Sequence, residues 1–207
     1  MCVYDTDFDS GADFVACGFA CHPYEGIDLE NTILEMGVAE RLVEAVASEQ
    51  KLTASGGAEQ VVDKARQAVA PLSSLRRANA VKQWGLPFDQ VDLDKYIRED
   101  GSLDTDKYLR ILLQKRPASA SSAPPSVQDL QIAAQGSCAT GLYRGRDILQ
   151  ILAKYLRMTF LRQKKNMGAS PEALEAMVHV AASSVLALTE WAAELQRITG
   201  SKRMPAQ

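Results

Sequence analysis

Residues 171–199, PEALEAMVHVAASSVLALTEWAAELQRIT, decide how this chain is read. Leu174, Val178, Ala181, Val185, Leu188, Ala192 and Leu195 recur at alternating steps of four and three. That spacing puts one apolar seam along a helix packed over its whole length against others. Ser170 is placed to cap the helix, Pro171 fits its first position, and Gly200 suits the exit.

The segment before it carries the same period. From Arg146 to Asn166 the residues Ile148, Ile151, Leu152, Tyr155, Leu156 and Phe160 share one arc, and cations occupy the other. At about 100° per residue, Arg146, Arg157 and Lys164 project within about 20° of one another. Lys154 and Lys165 flank them, and Arg144 and Arg162 stand further round. Gly168-Ala169-Ser170-Pro171 divides the two rods.

The rest of the chain is consistent with an all-α, multi-helix bundle. Asp28 is placed to cap a helix through Ile33, Leu34, Val38, Leu42, Val43 and Val46, up to about Gln50. Thr53 to Gly57 breaks it. A second helix runs from Ala58 to Ala70, is interrupted or restarted at Pro71, and continues its apolar face to Gly85. Leu86-Pro87-Phe88 is a turn whose ring pins the core. Val91–Arg98 and Leu103–Arg110 are near copies, and Asp92 and Asp104 are placed to cap two short helices around an Asp100-Gly101 turn. A short helix through Leu130 and Ile132 ends at Gly136. No alternating strand stands out.

These elements divide into an irregular arm (1–27, with a short helix near 14–21), a front helical unit (28–116), a Pro/Ser/Ala-rich linker (117–125), a back helical unit (126–200) and a basic tail (201–207). Among 207 residues, 46% are hydrophobic, 24% charged and 6% aromatic. That balance fits a globular chain and favours close-packed helices over a β-sandwich. No apolar run reaches the roughly 20 residues of a membrane span, and the acidic amino terminus does not resemble a secretory signal. The expectation is a cytoplasmic or otherwise intracellular protein, neither secreted nor membrane-bound. Its cysteines Cys2, Cys17, Cys21 and Cys138 are then free thiols.

The net charge of -3 conceals a polarity. Residues 1–70 carry about -9 and residues 71–207 about +6. An acidic front and a basic back fit head-to-tail self-association or a partner of fixed charge.

The cationic row leads the functional reading. Arg144, Arg146, Lys154, Arg157, Arg162, Lys164 and Lys165, extended by Arg76, Arg77 and the tail's Lys202-Arg203, would track phosphates on a rigid rod with little sequence information. This predicts a non-enzymatic, coat- or nucleocapsid-like helical assembly protein. It would be a homo-oligomer binding nucleic acid, RNA first, without a cofactor or metal. The alternative is a protein-interaction adaptor that binds no nucleic acid.

Other patterns are weaker. Cys2, Cys17, Cys21 and His22 make only half of a zinc spacing. Asp5, Asp7, Asp9 and Asp13, and again Asp100 to Asp104, fall short of calcium loops because required positions hold non-ligands. Gln135-Gly136-Ser137-Cys138 with His179 downstream is a partial thiol-hydrolase pattern. No phosphate loop, dinucleotide fingerprint or paired-carboxylate motif is present.

Overall fold

A computed structural model describes residues 2–4, 21–23, 28–120, 123–136, 142–161 and 169–200. It shows an all-α, multi-helix architecture. One departure lies in the arm: β1 (Cys2–Tyr4) and β2 (Cys21–Pro23) pair in parallel, where no strand was expected. The short helix expected near 14–21 lies outside the described residues, apart from Cys21 in β2.

Asp28 starts the helical body. Its carboxylate accepts from the Asn31 amide at 2.7 Å, capping α1 (Leu29–Ile33). The same carboxylate accepts from the Gly145 amide at 2.9 and 3.1 Å, so it also serves the first turn of α7 (Gly145–Tyr155). Two positive helix ends thus share one negative charge. Only glycine fits at 145, because a Cβ there would stand 2.3 Å from the Glu30 Cβ.

The expected helix from 28 to 50 is not continuous. Met36 and Gly37 leave helical geometry, Gly37 at φ +79°, and the chain bends before α2 (Ala39–Val46). Arg66 gathers Glu35, Glu40 and Asp63 across this bend, and the Tyr143 hydroxyl donates to Glu35. After α3 (Glu49–Ala54), Gly56 and Gly57 supply the positive φ of the break.

The next helix runs through Pro71 without the interruption or restart expected there. α4 spans Ala58–Lys82 with Pro71 inside it. The carbonyl deprived of its donor belongs to Gln67, which is exposed and can be hydrated. Phe88 is buried beyond the turn, as expected of the pinning ring. Of the two repeat copies, the second forms α5 (Thr105–Lys115) under its Asp104 cap. The first reaches only a 3-10 turn at Leu93–Tyr96, because Ile97 bridges back to Leu103. Gly101 turns this corner at φ +82° against the Tyr155 ring. A reciprocal Ser126–Asp129 cap opens α6 (Val127–Ala134).

Both carboxy-terminal rods are shorter than their periodicity. α7 widens to an i→i+5 ladder at Leu156–Phe160, where the Leu161 amide donates to the Leu156 carbonyl, and stops at Leu161, whose ψ of 145° is extended. There Ser48 donates to the Phe160 carbonyl and Lys51 to the Leu161 carbonyl, so another segment satisfies the groups a longer helix would use. The second rod is two helices, α8 (Pro171–Val185) and α9 (Glu190–Gly200), parted by a turn at Leu186–Leu188. Ser170 caps α8 with Pro171 in its first turn, as expected. Thr189 reopens the chain as a cap for α9, its hydroxyl accepting from the Ala192 amide at 2.9 Å. Leu174, Val178, Val185 and Ala192 are buried and Ala181 half-buried, but Leu188 is 83% exposed. The seam therefore breaks at the turn; the Leu195 side chain lies outside the described residues.

One apolar core runs through all of this. Ile148, Ile151, Leu152, Leu156 and Phe160 of the α7 segment are fully buried among Ile33, Leu34, Val62, Leu72, Leu109, Leu112, Leu130, Leu174 and Val178. α4 packs on α2, α6 and α7, while α8 packs on α1, α2 and α7. α5 and α6, on either side of the 117–125 linker in sequence, both contribute to this core. Among the described residues no helix is long and apolar enough to cross a membrane.

Candidate functional site

The cationic face was expected to stand free. Its described members instead face the protein's own carboxylates. Lys154 Nζ and an Arg157 Nη lie 3.0 and 2.5 Å from the two oxygens of Asp94. Arg146 approaches Glu175 at 3.6 Å, and Arg144 approaches Asp89 at 3.3 Å. Arg76 grips Asp147 with two hydrogen bonds of 2.7 and 2.9 Å. Arg162, Lys164 and Lys165 lie outside the described residues. Helical geometry among the described residues of this segment ends at Phe160.

These pairs are unequal. Arg76 and Asp147 are shielded, with side-chain exposures of 12% and 5%. Burial pushes the Asp147 carboxyl up, and the Arg76 guanidinium pulls it back down. Arg76 also stands 4.5 Å over the Phe88 ring. Arg146 holds a longer pair with its own side chain 63% exposed, which contributes only about 0–1 kcal/mol.

Three of the expected residues do come together. Arg76, Arg144 and Arg146 line one cleft of 440 Å³ with Phe88, Tyr108 and Gln150, and with Asp89, Asp92 and Asp147 on the same walls. Burial pushes the Tyr108 phenol up, keeping it a neutral donor. Its described lining offers guanidinium, carboxylate, phenol and amide groups. Arg77 lies elsewhere, beside Ala78, Val81 and Lys82 on a 290 Å³ apolar groove against Ala133 of α6.

A third surface was missed in the sequence. Val38, Arg41 and Leu42 on one side and Ala176, Met177, Val180 and Ala181 on the other line a 390 Å³ groove between α2 and α8. Val180 is 79% exposed at its lip. Periodicity could not single it out, because Met177 and Val180 flank the buried positions and read as the margin of the core stripe.

Of the partial thiol-hydrolase pattern, Cys138 lies outside the described residues. The side chains of Cys2, Cys21 and His22 lie outside them as well, as does all of Cys17. His179 is half-exposed on α8, and its Nε2 sits 3.2 Å from a Glu30 carboxylate oxygen. Asp100 accepts from the Ser102 amide and hydroxyl, as a turn residue does. Comparison of the chain with protein-family models, with curated proteins and with solved structures found no match.

Proposed function

We propose that this chain is a non-enzymatic helical assembly protein whose copies associate through the groove between α2 and α8. The observation that carries the reading is the groove itself: an apolar channel with one cation, Arg41, at its edge and a valine 79% exposed beside it. Such an open apolar channel offers a seat for the apolar side chains of a partner. A second copy is the proposed occupant, since segments of opposite sign, about -9 over residues 1–70 and about +6 over 71–207, allow complementary contacts between copies. Sedimentation of Val180→Glu against wild type tests this. The expected result is loss of association with unchanged helicity; an identical concentration-dependent size distribution in the two proteins refutes it.

Binding of nucleic-acid backbone remains a second reading, favoured by the convergence of Arg76, Arg144 and Arg146 on one cleft. The phosphate contacts would come from Arg144 and Arg146 on the cleft wall, and not from a continuous row along α7. Arg144→Glu with Arg146→Glu should then abolish retention on single-stranded RNA at low salt and remove the salt dependence. Retention unaltered by the pair of reversals refutes it.

A further inference from the structure

We infer that Glu30, Glu175 and His179 form a binding site for a first-row transition-metal dication, zinc or a close neighbour. The site is separate from the association groove and does not depend on that reading. Glu175 and His179 lie four residues apart on α8, so their side chains leave the same helix face one turn apart and act as a chelating pair. Glu30 reaches them from α1, which packs against α8 and is held in place by the Asp28–Gly145 hydrogen bonds. One ligand atom from each of the three lies within 4.8 Å of the other two. The closest approach, His179 Nε2 to Glu30 Oε1, is 3.2 Å. Ligands about 2.0–2.2 Å from a tetrahedral zinc sit roughly 3.3 Å from each other. One edge of the coordination triangle is therefore already at working length. The others close by rotation of side chains that are half-buried or exposed.

Charge and donor type set the class of ion. Two carboxylates balance a dication, and the imidazole nitrogen selects zinc, cobalt, nickel or copper over magnesium and calcium. Three protein ligands leave a fourth position for water. Arg146 is the competitor, 3.6 Å from Glu175 and 63% exposed at its side chain. That separation is too long for a hydrogen bond, and the exposed guanidinium is free to turn towards the cleft when a metal takes the carboxylate. The metal would thus pin α1 to α8 across 149 positions of sequence and release Arg146 at the same time.

The test uses the full chain titrated with zinc alone, with magnesium and calcium in parallel, by calorimetry and by thermal melting. Wild type is expected to take up one zinc at this site, to melt higher with zinc, and to ignore magnesium and calcium. His179→Ala and Glu30→Gln should each weaken that zinc binding at least tenfold and cancel the rise in melting temperature. Far-UV circular dichroism checks that both variants fold. Because Cys2, Cys17, Cys21 and Cys138 are possible competitors, cobalt is used as an optical probe. Carboxylate and imidazole ligation gives visible bands without the near-ultraviolet thiolate charge-transfer band. Absence of zinc binding overturns the assignment. So does zinc affinity in His179→Ala within twofold of wild type, or a cobalt spectrum made up of thiolate bands alone.

Discussion

Replacing Asp147 with asparagine keeps the shape of the side chain and removes its charge, leaving Arg76 shielded without a counter-ion. The two guanidinium–carboxylate bonds of 2.7 and 2.9 Å lie where both side chains are at most 12% exposed. Breaking one partner of such a buried pair costs about 3–5 kcal/mol, because the survivor remains out of water unpaired. For a chain of this size each kcal/mol lowers the melting temperature by about 2–4 °C. The expected fall is therefore roughly 6–20 °C. Urea denaturation followed by circular dichroism reads the same loss as a lower midpoint at unchanged slope. Asp94→Asn is the internal control: Asp94 also meets two cations, but its side chain is 36% exposed, so its loss should cost no more than about 1 kcal/mol. Arg76→Met combined with Asp147→Leu should recover most of the stability that either single change removes, since apolar replacements leave no stranded charge. If Asp147→Asn costs as little as Asp94→Asn, or the double variant is no better than the singles, the argument from burial is wrong.

Gly145→Ala would drive a methyl against the Glu30 Cβ, the Asn31 amide and the Asp28 carboxylate, so α1 and α7 must part. Overpacking together with the strained shared hydrogen bond should cost roughly 3 kcal/mol, read as a lower urea midpoint; a wild-type midpoint refutes the contact. Lys107 beside Asp104 holds that carboxyl below its ordinary 3.8. A depressed folded value means the contribution to stability is complete above pH 3.8 and is lost as pH falls through the folded value. Asp104→Asn should therefore flatten the decline in urea midpoint below about pH 4, and parallel curves for the two proteins would contradict this.

Much of the fold was legible because it rests on local chemistry. Asp28, Asp104 and Ser170 all cap helices, and the apolar arc of Ile148 to Phe160 is buried throughout. The errors arose where tertiary contacts override the period. Residues 146–160 keep helical spacing that runs on to Asn166 in sequence, yet the backbone turns out at Leu161 because Ser48 and Lys51 occupy its last carbonyls. Leu188 fits the seam by count and lies in solvent because Thr189 starts a new helix. The cationic row was visible as a set of residue types, but its neutralisation was not. Asp94, which pairs with Lys154 and Arg157, lies about sixty residues away in sequence and reads as an ordinary first-turn acid. Glu30 is likewise indistinguishable from any helix-start carboxylate until α8 is laid beside it.

The carboxylate of Asp28 also bears on the order in which the chain matures during synthesis. Its second client, the Gly145 amide, is 117 positions downstream. A ribosome that has released the first hundred residues has delivered the anion and only one of the two helix starts it serves. The second hydrogen bond of that carboxylate can therefore close only after α7 has emerged.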